Sequence, residues 1–261
     1  MRADRFPYFD ARFLAIAHRG GFSPAAPIEL ENSLRAFRAA WDLGYRYLET
    51  DAQVTSDGVL IAFHDDALDR VTDASGPVST LPWSDVAQAR IGGLEPIPRF
   101  DDLLDTFPDA RFNIDLKTPG AVVPLAEAIR RHGAQDRVCV ASFSTPRLRE
   151  FRRLAGPRVA TSASPAEIAV SAWLPALRRA WPLRGAAFQI PVLEPRTGVP
   201  LMRFGLRRAA RRRGREVHVW TINERSDMED LLDWGVDGLI SDDLVTLKDV
   251  LTARGLWEGS L

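Results

Sequence analysis

The chain has 261 residues, 46% hydrophobic and 26% charged, with a formal net charge of -1. That makeup excludes a disordered or fibrous protein, and the lack of a basic surplus argues against a dedicated nucleic-acid binder. Its single cysteine, Cys139, lies in the apolar run RVCVASF, cannot form an intramolecular disulfide, and reads as a buried, inert thiol. Residues 1–20 lack the apolar stretch of a signal peptide and no later segment approaches the roughly 20 apolar residues of a membrane span, so a cytoplasmic protein is expected.

In chain order, short β-type apolar runs alternate with segments of helical period. FLAIAH (13–18) reads as a strand, and NSLRAFRAAWDLG (32–44) as a helix capped by Asn32 or Ser33 and stopped at Gly44. YRYLETD (45–51) is a second strand, followed by a hairpin turn at Asp57-Gly58 between alternating residues. The stretch from about 65 to 98 is rich in Gly, Pro, Ser and Asp and has little period, as in an inserted excursion. RFNIDLK (111–117), RVCVASF (137–143), a shorter RVATSA (158–163), GAAFQIP (185–191), REVHVWTIN (215–223) and VDGLISD (236–242) continue the series, each followed by a helical segment. About eight strands in βα alternation over this length predict one (β/α)8 barrel domain spanning residues 1–261. An open doubly wound sheet is the rival, disfavoured because no G-x-G-x-x-G turn follows the first strand.

In a barrel of this kind the catalytic groups sit at the C-terminal ends of the strands. His18 ends the first strand, Glu49 and Asp51 the second, Asp115 and Lys117 the third, and Asp242 the last. Unpaired charge is costly at such positions, so the pattern points to a site. Glu49 and Asp51, two apart on a strand, face the same way and need a cation or a proton between them. Oxygen-only donors favour Mg2+ or Ca2+, with Asp115 as a third ligand. His18, together with His64 after the hairpin, could transfer protons near neutral pH. His132 lies in the last turn of a helix, where a cation suits the dipole. His218, two before Trp220 on a strand, is assigned to packing or to a substrate wall. Three carboxylates and a dication leave a charge of about -1, which Arg19 and Lys117 bring to about +1 before an anionic substrate arrives, as suits a phosphate ester.

Several motifs together resemble the glycerophosphodiester phosphodiesterases: AHRGG (17–21), LENS (30–33), LETDAQVTSDGVLIAFHDDALDRVT (48–72), NIDLK (113–117), ASF (141–143), VHVWTIN (217–223) and GVDGLISDD (235–243). The resemblance covers nearly the whole chain. It implies a (β/α)8 barrel with an excursion after the second strand, one bound divalent metal, and hydrolysis of glycerophosphodiesters to glycerol 3-phosphate and an alcohol. By position it implies that His18 and His64 are the acid/base pair, that Glu49 and Asp51 are metal ligands, and that Asp115 is a third ligand where the family usually has Glu. Arg19 and Lys117 would bind phosphate. Glu31 would support substrate binding, in a loop where Leu30 and Ser33 replace the Pro and Thr of the family's Pro-Glu-Asn-Thr motif. Gln189 and Trp220, on barrel strands, are candidate substrate-wall residues.

Two rivals remain: phospholipase D-like cleavage of lysophospholipids, which calls for an apolar groove beside the metal, and a catalytically silent barrel that binds phosphorylated ligands. The basic run RFGLRRAARRRGR (203–215) reads as a solvated helix face, with weak contact to an anionic surface as the functional alternative.

Overall fold

The computed structural model describes residues 2–173, 183–193, 198 and 206–259. Its strands are β1 (Leu14–Phe22), β2 (Tyr47–Val54), β3 (Leu60–Ala62), β4 (Arg90–Ile91), β5 (Glu95–Pro96), β6 (Arg111–Leu116), β7 (Val138–Ala141), β8 (Ala160–Thr161), β9 (Ala187–Pro191), β10 (Glu216–Trp220) and β11 (Gly238–Asp243). Its helices are α1 (Leu34–Asp42), α2 (Trp83–Val86), α3 (Phe100–Thr106), α4 (Val122–Arg131), α5 (Thr145–Ala155), α6 (Pro165–Trp173), α7 (Leu206–Arg212), α8 (Arg225–Trp234) and α9 (Leu244–Ala253).

Eight of these strands pair in parallel in the order β8-β7-β6-β2-β1-β11-β10-β9. The two end strands meet at a bridge between Ser162 and Ala187, where Ala163 N donates to Ala187 O and Ala186 N to Thr161 O, each at 2.7 Å. The fold is a nearly closed (β/α)8 barrel with helices between the strands, not an open sheet. The seam is narrow: a Cβ on Gly185 would lie 2.4 Å from Ala163 Cα, so only glycine lets the two backbones approach this closely. The fifth strand, read as 158–163, contracts to Ala160–Thr161: Arg158 and Val159 lie in the turn before it, and Ser162 and Ala163 pair across the seam.

Alternation along each strand sends one set of side chains into the barrel and the other against the helices. The outward set joins the helices in the main apolar core, which includes Phe37, Leu48, Phe112, Ile114, Phe151 and Leu247. Inside, Leu14, Ile16, Tyr47, Cys139 and Ile240 pack against Phe6 and Tyr8 of the N-terminal segment. Tyr8 meets Tyr47 edge to face at 5.4 Å, and the Tyr47 hydroxyl donates to Tyr8 O at 2.9 Å and accepts from Asp10 N at 3.0 Å. Tyr47 and Leu14 begin their strands, so this segment closes the barrel's N-terminal end and leaves the other as the mouth.

The expected hairpin forms, with β3 antiparallel to β2 in the register Val54↔Leu60. The excursion after it has more order than its composition suggested. It carries α2 and the two-stranded β4–β5 ribbon, and its Val78, Val86 and Ile91 form an apolar cluster with Ile61 of β3 and with Phe63. These pieces are too short to show a period in the sequence. At α1, Ser33 is the cap and accepts from Ala36 N at 3.1 Å, whereas Asn32 stands outside the helix with φ +61°. Among the described residues no helix is long and apolar enough to cross a membrane.

Candidate active site

The mouth holds a cavity of about 170 Å³ lined by His18, Arg19, Glu49, Asp51, His64, Asn113, Asp115, Lys117, Gln189 and Trp220, with Phe143, Pro165 and Ile168 on an apolar side. Nine of the ten candidate residues from the sequence therefore converge on one space. Glu31 does not line it. Its carboxylate is buried and accepts from Arg19 Nη1 at 3.2 Å and from Arg70 Nη2 at 2.5 Å, so it anchors Arg19 from behind.

Each histidine is held through the same ring atom. His18 Nδ1 lies 2.7 Å from Asp242 Oδ1, and Asp242 is itself fixed by Asn223 Nδ2 at 2.9 Å and by its own N–H to Asn223 Oδ1 at 2.9 Å. His64 Nδ1 lies 2.5 Å from Asp65 Oδ1, and Asp65 is gripped by Arg70. Nε2 is the ring nitrogen each leaves for proton transfer, and that of His18 stands 3.8 Å from Glu49 Oε2. Burial alone would lower the His18 pKa, but the Glu49 charge and the Asp242 hydrogen bond outweigh it and raise the ring above its ordinary value.

The chain reaches this geometry through a bulge. Strand pairing slips between Ala17 and Phe22, and Arg19 takes a left-handed φ of +52°. The turn aims the Arg19 N–H at Glu49 Oε2, 3.0 Å away, and brings Arg19 Nε to 3.2 Å from Asp51 Oδ2. Asn32, in its own left-handed conformation, donates to Asp51 Oδ2 at 3.0 Å and accepts from Thr50 Oγ1 at 2.8 Å. It is therefore part of the carboxylate's support and not a helix cap.

The carboxylates are strained electrostatically. Burial, with the neighbouring Asp51 charge, pushes Glu49 up to about 7. Burial would also raise Asp51, but Lys117 and Arg19 hold it below its ordinary value. Asp115 is raised by burial against the pull of Lys117, and its Oδ1 is buried with no hydrogen-bond partner among the described residues. Lys117 Nζ sits between Asp51 Oδ1 at 2.9 Å and Asp115 Oδ2 at 2.7 Å. Among the described residues no three His, Cys, Asp or Glu side chains already converge as a metal cage, and Lys117 supplies the positive charge between two of the carboxylates. The donor chemistry nevertheless fits a hard cation. The set is all oxygen, one oxygen is orphaned, and the high Glu49 carboxyl is the kind of cost that a dication removes.

The remaining candidates have structural partners. His218 is wholly buried, and burial pushes the Cys139 thiol up, as an inert thiol requires. His132 lies between Asp101 at 2.8 Å and Asp105 at 2.9 Å. Of the basic run, residues 203–205 lie outside the described residues. Arg208, Arg211 and Arg212 are exposed, while Arg207 and Arg215 donate to the carbonyls of Gly235 and Leu183 at 2.9 Å each. Asp65, Arg70 and Asn223 escaped the sequence reading of the site. Asp65 adjoins His64 in FHDD, a signal that could have found it, whereas Arg70 and Asn223 reach the site only through tertiary contacts.

Comparison with known proteins follows the same line. The profile of the Glycerophosphoryl diester phosphodiesterase family matches residues 18–246. The chain is 40% identical over 252 residues to a probable glycerophosphodiester phosphodiesterase 2 of Mycobacterium tuberculosis, covering 95% of this chain and 94% of that protein. Its fold resembles the crystal structure of a putative glycerophosphoryl diester phosphodiesterase from Silicibacter pomeroyi, with TM-score 0.79, 23% identity, and coverage of 97% of this chain and 100% of that one. A phosphodiesterase of Oleispira antarctica, solved in complex with the product sn-glycerol-3-phosphate, aligns with TM-score 0.74 and 25% identity over 92% of this chain and 96% of that one.

Proposed function

The chain belongs to the glycerophosphoryl diester phosphodiesterase family, and on that premise we propose that it hydrolyses glycerophosphodiesters to glycerol 3-phosphate and an alcohol, with a divalent ion bound and His18 and His64 moving the protons. One observation carries the reading. Two histidines, each with Nδ1 spent on a carboxylate, face one cavity that also holds three carboxylates and two cations. Glu49, Asp51 and Asp115 would hold Mg2+ or Ca2+, which when bound supplies positive charge for a phosphoryl oxygen and lowers the pKa of an attacking hydroxyl. Arg19 and Lys117 bind and orient the phosphodiester, and their charges favour its anion over a neutral ligand. One histidine takes a proton at Nε2 from the attacking hydroxyl or water, and the other gives one from Nε2 to the leaving oxygen. Asp242 and Asp65 keep the two rings turned for this exchange.

The test is release of glycerol 3-phosphate from glycerophosphocholine and glycerophosphoethanolamine by EDTA-treated protein, with Mg2+, Ca2+ or Mn2+ added back. Metal-restored release supports the reading. Release that EDTA leaves untouched removes the metal.

An apolar wall favours a second reading, cleavage of lysophospholipids at the same centre. Phe143, 66% exposed, meets Trp220 edge to face at 5.6 Å, and Pro165 and Ile168 extend that wall within the cavity. Lysophosphatidylcholine in the same assay separates the two. Cleavage of it with the soluble diesters untouched moves the substrate to the lipid, and no turnover of either leaves a silent phosphate-binding barrel.

A further inference from the structure

The buried His218 has no part in the chemistry above, yet it sits at the centre of a hydrogen-bonded chain that crosses the barrel. Alternation along β10 points Glu216, His218 and Trp220 inward in succession, from the closed end to the mouth. His218 Nε2 lies 2.8 Å from Glu216 Oε2. A carboxylate only accepts, so Nε2 carries the proton. On the neighbouring β9, Gln189 stands in register with His218, and its Nε2 is 3.3 Å from His218 Nδ1 and 2.7 Å from Asn113 Oδ1 on β6. An amide nitrogen only donates, so Nδ1 and Asn113 Oδ1 are both acceptors, and one tautomer satisfies the whole chain. The opposite polarity would turn the Nε2 lone pair against the Glu216 carboxylate.

The consequence lies in the cavity. With both Gln189 N–H groups engaged, its Oε1 is left over, and with Asn113 Oδ1 engaged, its Nδ2 is left over. Neither atom has a partner among the described residues, and both side chains line the cavity. An acceptor and a donor side by side suit a ligand hydroxyl, which donates to one and accepts from the other.

We infer that Glu216 and His218 are positioning residues that set the polarity of Gln189 and Asn113, and that this amide pair selects a polyol, the glycerol moiety, by its hydroxyls. The inference rests on the phosphodiesterase reading and adds the basis of its selectivity. An alkyl group in the same place would leave two polar groups unpaired, which is how a hydrogen-bonding site rejects an analogue lacking the hydroxyl.

Calorimetric titration of sn-glycerol 3-phosphate and of n-propyl phosphate, which has the same phosphate and no hydroxyl, tests it on the full chain with Mg2+ present. Wild type is expected to prefer glycerol 3-phosphate by about tenfold or more. Glu216→Gln, which keeps the shape but can donate as well as accept, and His218→Leu are expected to reduce that preference to about threefold or less, with propyl phosphate affinity within about twofold of wild type. In turnover of glycerophosphocholine the same variants raise KM more than they lower kcat. A preference that survives both substitutions, or a parallel loss of both ligands, overturns the inference. If His218→Leu does not fold, Glu216→Gln alone decides. Wild type that releases glycerol 3-phosphate yet binds both phosphates equally overturns the selectivity while leaving the phosphodiesterase reading standing. Wild type that neither cleaves diesters nor binds either phosphate overturns both.

Discussion

His18 and His64 depend on their neighbours for their geometry. Each gives Nδ1 to a carboxylate that a further residue pins, Asn223 behind Asp242 and Arg70 behind Asp65. Such support keeps a ring within the narrow range of positions that proton transfer tolerates. Alanine at either histidine is expected to lower kcat by roughly two to four orders of magnitude, with the thermal midpoint little changed; near wild-type turnover in both variants would remove them from the chemistry. Their identity was legible in the sequence because AHRG and FHDD end strand-like runs. The sequence offers Asn32 and Ser33 alike as the cap of α1, since a residue before a helix looks like a cap whether or not its backbone is left-handed. Only the observed φ of +61° and the bond to Asp51 separate the two roles.

At the scale of elements, two joints set the site. The first is the bulge in β1, where Gly20 has φ +85° and an added Cβ would stand 2.7 Å from Ala36 Cβ on α1. Gly20→Ala is expected to cost about 2 kcal/mol or more and to displace Arg19, read as a lower thermal midpoint with a raised KM. An unchanged midpoint would mean that α1 yields freely. The second joint is Glu167 on α6, which accepts from Arg152 at 3.0 Å, Ser164 N at 2.7 Å and Arg184 N at 2.5 Å and so ties down the barrel seam. Burial alone would raise the Glu167 carboxyl, but Arg152 and the two backbone N–H groups outweigh it and hold it below its ordinary value. A depressed carboxyl stabilises fully above its unfolded pKa, and that contribution is lost as pH falls through the folded value. Glu167→Gln is thus expected to cost about 3 kcal/mol at pH 7, with the gap to wild type narrowing below about pH 4. A gap that stays constant to acid pH would show that the charge is not what matters. Ser164 and Glu167 have the spacing of a capping box, which a sequence can show, whereas Arg152 and Arg184 reach the carboxylate only through the tertiary fold.

For the whole molecule, the two ends of the barrel have opposite characters. The N-terminal segment seals one end, with Tyr8 wholly buried against Tyr47 and its hydroxyl without a partner among the described residues. Tyr8→Ala is expected to cost about 3–5 kcal/mol for the lost ring, while Tyr8→Phe, which removes an unsatisfied polar atom, should leave stability equal or higher. Denaturant unfolding of the pair checks this, and a clear loss in Tyr8→Phe would mean that the hydroxyl is satisfied after all. At the mouth, the apolar side chains left exposed include Phe143, Val192 and Leu193, each just beyond the C-terminal end of its strand. The apolar surface and the charged cavity therefore open on one face, which is why both a soluble diester and a lipid belong in the same assay.

By itself the sequence determined the barrel and the residues at its mouth. Strand period, helix period and strand-end polarity are local properties, each written in a few consecutive residues such as YRYLETD and RFNIDLK. The tertiary structure alone decided which groups answer one another. Lys117 lies between Asp51 and Asp115, Glu31 stands behind Arg19, and Glu216 orients Gln189 through His218. Asp115 and Lys117 are only two apart, as are Glu216 and His218, but each pair is completed from another strand, by Asp51 on β2 and by Gln189 on β9. A hydrogen bond is set by distance and direction in space, and no spacing along one segment encodes those partners.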